Sequence, residues 1–399
     1  MQDLEFLNPN SILHYNIGLA SSGHADIHGK KPLNEYSLRN RYPGTTIISD
    51  SGGFQICKGT WKVRLNPMDQ KFLDLRKTVH AWQENNSDWA VTLDIPYMIF
   101  DVPKAMKITG ITTHEQAMRV IVDNMDYYMS NSTGKTKWLN ALQGRTFAET
   151  DDYFEQVKDY NTPGYRNDYC RGWAFGNLQS YSAEAMLRRL VILKHRGYLQ
   201  NTERIHILGK SKLYQTVFFN AIARHFPAIK ITYDSSGPYI QAAKGQLITG
   251  WTFNNTGKWV LDIEPIPWTQ THKNSTEPVL SNRPDITASK IFKRLTLHDI
   301  IQANNKSGLD AFSYIFLQHH NLDIMLQSQQ QAELAFQQGQ RPQELNWDVD
   351  VEIVLEEILE APTETLALKA LDLHSRRLER FSNHRATSLD TFNNLFEVV

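Results

Sequence analysis

Short apolar runs alternate along this chain with longer segments whose apolar residues recur at helical spacing. Residues 11–19 read as a first strand and residues 35–41 as a short helix. Pro43-Gly44 then turns the chain into Ile47-Ile48-Ser49-Asp50, a β-branched run that ends on a carboxylate. The same order repeats. Residues 69–85 carry Phe72, Leu73, Leu75, Val79 and Trp82 at helical spacing, and residues 89–96 form a second strand ending on Asp94. Thr112 is placed as the cap of the next helix, with Glu115 three residues later and Ala117, Val120, Ile121, Met125 and Tyr128 on its apolar face. Strands over 138–142, 172–175, 204–208 and 229–233 alternate with helices near 148–160, 182–196 and 211–226. They stop at Gln143-Gly144, Gly176-Asn177-Leu178, Gly209 and Asp234-Ser235-Ser236-Gly237.

Strand–helix alternation of this kind predicts a parallel sheet. Seven such strands, with no G-x-G-x-x-G after the first, favour an α/β fold of the closed (β/α)8 TIM type over an open doubly wound sheet. The eighth strand has two candidate places, Gln246-Leu247-Ile248 or a segment beyond 300. From about residue 245 the pattern changes. Residues 250–259 read as a β-hairpin around Asn255-Thr256-Gly257, residues 264–287 as an irregular excursion, and residues 288–338 as helical. An acidic stretch over 348–360 and a helix near 363–382 follow. The expected organisation is a barrel unit over 1–340, holding a hairpin and irregular insertion at 245–287, and an acidic, helical C-terminal extension over 341–399.

Composition narrows the function classes. A chain of 399 residues, 41% hydrophobic, has room for such a barrel with additions. Its net charge of −1 gives no global field for a polyanion, so any nucleic acid would meet a local patch. Cys57 and Cys170 are the only cysteines; they make no disulfide framework and cannot supply a thiolate zinc site, which leads us to expect a reduced, cytoplasmic protein. The N-terminus lacks a signal-peptide pattern, and no apolar run is long enough to suggest a membrane span.

Candidate chemistry sits at the strand ends. Asp50, Asp94, Gln143 and Asp234 would converge on the mouth of a barrel. Three carboxylates there would push one another's pKa values apart, which supplies an ionised nucleophile and a protonated acid from one residue type. Each of them alone reads equally well as a turn residue or a helix cap.

Asp50-Ser51-Gly52-Gly53-Phe54-Gln55 resembles the signature of the tRNA-guanine transglycosylase superfamily. Leu93-Asp94, Leu142-Gln143-Gly144, Gly176-Asn177-Leu178, Leu208-Gly209, Tyr233-Asp234, Leu295-Thr296-Leu297-His298 and His319-His320-Asn321-Leu322 follow in the order of that family. The resemblance spans roughly residues 11–338. It implies exchange of a base at a glycosidic bond, with Asp234 as nucleophile at C1′ and Asp50 as general acid/base. It also implies that Asp94 reads the N–H and amino edge of a guanine-like base, and that Gln143, Gly144, Gly176 and Asn177 read its carbonyl edge. Phe54 and Leu208 would sandwich the ring, with Ser51 beside it.

Two departures matter. Members acting on tRNA carry a C-x-C-x-x-C cluster and a later histidine that bind zinc. Here no cysteine follows Asp234, and His320 stands where that histidine would be, so no cofactor is expected. Asn177 stands where many members have a second glycine. These departures make the chain most similar to the phage DNA-guanine transglycosylase (DpdA) branch, which inserts 7-deazaguanine bases into DNA. The implied partners are DNA, or else tRNA, and a free 7-deazaguanine base; an oligomer is compatible. The alternatives are a zinc-less tRNA enzyme, a non-catalytic partner subunit, and an N-glycosidase finished by water. Of four basic clusters (Lys30-Lys31 with Arg39 and Arg41; Lys210 with Lys212; Arg283, Lys290, Lys293 and Arg294; Arg376, Arg377, Arg380 and Arg385), the third is the expected nucleic-acid contact. His24 with His28, His319-His320, Cys57, and the Trp251–Trp259 pair read first as ordinary packing or loop residues.

Overall fold

A computed structural model describes residues 5–8, 10–11, 13–24, 36–177, 182–266, 289, 291, 298 and 311–382. The first half of the chain forms β1 (Ile17–Ser21), α1 (Tyr36–Arg39), β2 (Thr46–Asp50), α2 (Gly53–Cys57), α3 (Gln70–Asn86), β3 (Trp89–Val91), α4 (Pro103–Thr109), α5 (His114–Asn131), β4 (Lys137–Leu142) and α6 (Phe147–Val157). It continues with β5 (Cys170–Phe175), α7 (Ala183–His195), β6 (Arg204–Ile207), α8 (Leu213–His225), β7 (Lys230–Tyr233) and α9 (Gly237–Ala243). A hairpin of β8 (Gln246–Phe253) and β9 (Trp259–Pro265) follows, and then α10 (Ala311–Gln337), α11 (Val351–Leu359) and α12 (Glu364–Ser382).

Side-chain caps set where several helices begin. Asp69 accepts from Lys71 N, Thr146 from Glu149 N and Ser182 from Ala185 N. The cap of α5 is Thr113 rather than Thr112. The carboxamide of Gln116, not Glu115, folds back onto the backbone N–H groups of Thr112 and Thr113 at 2.7 and 3.2 Å.

β1 to β7 make one seven-stranded parallel sheet in chain order. Ile48, Trp89, Val91, Leu139, Ala141 and Ala174 line one face, with Leu19 and Leu208 packed against them. Ile205, Ile207 and Phe175 meet the helices on the other face. The sheet is curled. Asp50 and Asp234, at the ends of β2 and β7, would lie five strand spacings apart, roughly 24 Å, in a flat sheet. Instead the Asp234 charge acts on the Asp50 carboxyl.

The expected closed eight-stranded barrel is not what the described strands form. Residues 246–248 do lie in a strand, but β8 pairs antiparallel with β9 and stands outside the seven-stranded sheet. The reason is visible at the other edge of β8, where α10 takes a strand's place. Asn321 Oδ1 accepts from Ile248 N at 2.8 Å, its Nδ2 donates to the Gln246 carbonyl at 2.9 Å, and His320 Nε2 meets the Ile248 carbonyl at 3.0 Å. Those backbone groups are already satisfied, so no further strand is needed there. The hairpin still helps fill the space between the sheet edges: Leu247 packs in one cluster with Ala20, Ile47, Phe6, Leu13 and Leu317.

The hairpin at residues 250–259 is present, with Gly257 in the left-handed conformation at its turn and Trp251 and Trp259 packed at 5.3 Å between ring centroids. Helices α11 and α12 continue the main core rather than standing apart. Val354, Leu355, Leu378 and Phe381 join it, and Phe381 packs on Phe218 of α8 at 4.4 Å between centroids. Ion pairs Arg196–Glu364 and Lys194–Glu360 tie the end of α7 to the start of α12 and the end of α11. Among the described residues no helix is long and apolar enough to cross a membrane.

Candidate active site

The site is built on the ends of β2, β3, β4, β5, β6 and β7. The turn after β2 comes first. Gly52 takes φ +81°, a left-handed conformation that suits glycine, and starts α2. A Cβ on Gly53 would stand 2.9 Å from Pro96 Cδ and 3.1 Å from Asp94 Oδ1, so the absence of a side chain there lets the two strand-end loops touch.

Asp50 is the last residue of β2 and lies beside its register partner Ser21, whose hydroxyl donates to Asp50 Oδ2 at 2.9 Å. The Gly52 N–H donates to the same oxygen at 3.3 Å. Part of Asp50 still reaches solvent, yet its carboxyl is closely enclosed. Burial pushes that carboxyl above its ordinary range; the Ser21 hydrogen bond opposes the rise and the facing Asp234 charge adds to it.

Asp94 lies just beyond β3 and is buried. The Ser51 hydroxyl donates to its Oδ1 at 3.0 Å, and the Gln143 carboxamide donates to its Oδ2. Burial, reinforced by the Asp50 charge, raises the Asp94 carboxyl to about 6 against these two donors. Gln143 Oε1 in turn accepts from Tyr97 N at 3.4 Å. Gly176 sits against this amide, since a Cβ there would stand 3.0 Å from the Gln143 carboxamide. Gly144 does the same for the start of α6, where a Cβ would stand 2.2 Å from Thr150 Oγ1.

Asn177 is the one non-glycine residue with positive φ, +46°, among the described residues. Asparagine tolerates that conformation better than most residues. With its carboxamide oxygen turned inward, Asn177 accepts from Tyr97 N at 3.2 Å and Met98 N at 3.1 Å. In that orientation the Asn177 side chain ties the end of β5 to the loop after β3.

Asp234 follows β7 and is half-buried. Its Oδ1 accepts from Gly209 N at 2.7 Å, and His206 Nε2 lies 3.4 Å from the same oxygen. Leu208 is partly buried against the inner face, next to Gly209. Phe54 lies on α2, half-exposed, with Lys58 Nζ 4.8 Å from its ring centre. Lys210, just past Gly209, is pushed down to about 8 by burial and by the neighbouring Lys212 charge.

The structure therefore brings Ser51, Asp94 and Gln143 into direct contact, and brings Asp50 and Asp234 into electrostatic range. Leu178, Arg283, Lys290, Lys293 and Arg294 lie outside the described residues, as do His28, Lys30, Lys31 and Arg385. Three contributors had no role in the sequence reading: Ser21, the Asn177 side chain and His206. His206 left a trace, a polar residue between Ile205 and Ile207, which alternation turns to the face opposite those two.

The residues around His320 do not fit a zinc site. Its two ring nitrogens meet Ser289 Oγ at 2.7 Å and the Ile248 carbonyl at 3.0 Å, and burial pushes it down to about 3. Among the described residues no group of three or more His, Cys, Asp or Glu side chains is placed to hold a metal ion. Cys57 is packed, its thiol directed at the Pro96 carbonyl. Compared with known proteins, the chain matches no family model, and no curated protein matches it.

Proposed function

We propose that this chain is a base-exchange transglycosylase that replaces guanine in a polynucleotide, DNA in preference to tRNA, with a 7-deazaguanine base. The observation that carries this reading is the pairing of two facing carboxylates, Asp50, raised by burial, and Asp234, held by the Gly209 N–H, beside the Asp94–Gln143–Ser51 group at one end of a curled parallel sheet. On this reading the sheet is a variant TIM-type barrel in which the β8–β9 hairpin and α10 occupy the eighth position.

The first half-reaction uses Asp234 as nucleophile. A carboxylate oxygen bonds to C1′ while the bond from C1′ to guanine N9 breaks, and Asp50, raised by burial, gives its proton to the departing base. In the second half-reaction Asp50 takes the proton from the entering base. The base nitrogen bonds to C1′, and Asp234 leaves as a carboxylate. Asp94 accepts from the N–H and amino groups of either base, and the Gln143 amide donates to its carbonyl. Phe54 and Leu208 cover the ring faces. A target within a duplex has to be flipped out at a cost of a few kcal/mol. The choice of DNA rests on the missing zinc cysteines.

The test supplies labelled 7-deazaguanine bases with DNA or with tRNA to the full chain and to Asp234→Ala and Asp50→Ala. Label entering DNA, and lost in Asp234→Ala, is the expected result. Label entering tRNA alone overturns the choice of polymer. Guanine release without label uptake means a glycosidase. Uptake that survives Asp234→Ala overturns the nucleophile, and no turnover on either polymer leaves a non-catalytic subunit.

A further inference from the structure

His206 takes no part in the steps above, yet it is buried beside Asp234. It stands on β6 between Ala174 of β5 and Thr232 of β7, its register partners on either side. Its Nδ1 meets Thr232 Oγ1 at 3.1 Å. Its Nε2 lies 3.4 Å from Asp234 Oδ1, the charged group it faces, and makes no hydrogen bond among the described residues. A hydroxyl is both donor and acceptor, and the Thr232 hydroxyl, 3.4 Å from the Ile205 carbonyl, lies nearer to Nδ1, to which it can donate. That tautomer leaves the proton on Nε2, aimed at the carboxylate.

Two groups therefore face one oxygen of Asp234: the Gly209 N–H donates to Oδ1 at 2.7 Å, and the His206 ring nitrogen stands 3.4 Å from the same atom, close enough to donate after a small shift. No described donor is directed at Oδ2. A carboxylate oxygen that accepts one hydrogen bond and faces a second ring N–H is the poorer nucleophile, and the opposite oxygen keeps its lone pairs for attack. We infer that His206 is a positioning residue that, with Gly209, fixes Oδ1 of Asp234 and makes Oδ2 the oxygen that bonds to the sugar.

This rests on Asp234 being the nucleophile. In the covalent intermediate Oδ1 becomes the ester carbonyl oxygen, and the same two groups still face it. When the entering base displaces the ester, electrons return to the carboxylate, where donation from the His206 ring strengthens as charge develops. The residue thus serves both half-reactions without touching either base.

The experiment measures single-turnover formation and discharge of the covalent adduct between full-length protein and a guanine-containing oligonucleotide, in wild type, His206→Phe and His206→Gln. Glutamine can place an amide N–H near the Nε2 position; phenylalanine keeps the volume and removes the donor. We expect both steps to slow by roughly 10- to 100-fold in His206→Phe, with KM for the free base unchanged and His206→Gln within about 5-fold of wild type. Adduct formation at the wild-type rate in His206→Phe overturns the role. So does equal slowing in both variants with equally lowered Tm, which marks packing alone. If His206→Phe does not fold, Thr232→Val replaces it, and wild-type rates there overturn the role. Wild-type protein that forms no adduct at all overturns the transglycosylase reading, and this role with it.

Discussion

Ser51 and Asp94 form a buried pair, the serine hydroxyl donating to Asp94 Oδ1 at 3.0 Å. The hydrogen bond favours the ionised form of a carboxyl that burial pushes the other way. Removing it in Ser51→Ala should raise the Asp94 pKa above about 6 and weaken the free base roughly 3- to 10-fold at neutral pH. Calorimetric titration across pH 5–8 reads both effects; an unchanged pH profile argues against the coupling.

Asp94 also makes stability and binding respond to pH in opposite directions. Its folded value of about 6 exceeds the ordinary 3.8, so the native state holds this proton more tightly than the unfolded chain does. That contribution is fully present below about pH 4 and is lost as pH rises through about 6, a change of roughly 3 kcal/mol. Urea unfolding of wild type and Asp94→Asn at pH 4 and pH 8 should show the wild type losing stability relative to the variant. On the proposed function, base binding needs the ionised acceptor and should weaken below about pH 6. Parallel pH dependence of unfolding in the two proteins would contradict the burial effect.

The close approach at Gly53 predicts a local steric cost. In Gly53→Ala the new methyl meets Pro96 Cδ at 2.9 Å and the Asp94 carbonyl at 3.0 Å, so one loop must move. We expect a loss of about 1–3 kcal/mol together with loss of base binding. Gly44→Ala is the matched control, because its φ of +86° carries conformational strain while nothing lies within 4 Å. It should cost about 1 kcal/mol and leave base affinity intact.

Asn177→Gly keeps the left-handed conformation and removes the oxygen that accepts from Tyr97 and Met98. Amide exchange at Met98 should quicken by about 10-fold, with a smaller effect at Tyr97, which keeps Gln143 Oε1 at 3.4 Å. Stability should fall by roughly 1 kcal/mol. Unaltered exchange at both amides would remove the assigned role of the side chain.

The parallel strands and most helices were legible because each follows a local rule of periodicity and capping. The α5 cap was misplaced by one residue because Thr112 and Thr113 are both acceptable caps, and only the folded Gln116 side chain decides between them. The missing closure of the barrel was not legible, because it depends on His320 and Asn321 reaching a strand more than 70 residues earlier. The grouping of the strand-end polar residues was legible, each at the end of an apolar run. His206 was less so, since its partners lie on β7 and beyond it, and alternation gives a direction but not a neighbour.

The curl that brings Asp50 within reach of the Asp234 charge gives the protein a built-in strain gauge. Part of the Asp50 proton affinity depends on how far β2 and β7 stand apart around the sheet. A substitution far from the mouth that loosens the contact of Leu247 and Leu317 with Ala20 and Ile47 would open the curve and lower that affinity. The infrared carboxyl stretch of Asp50, followed against pH, would then report curvature. A remote packing change would then lower the proton affinity of Asp50, in part, without altering any residue beside it.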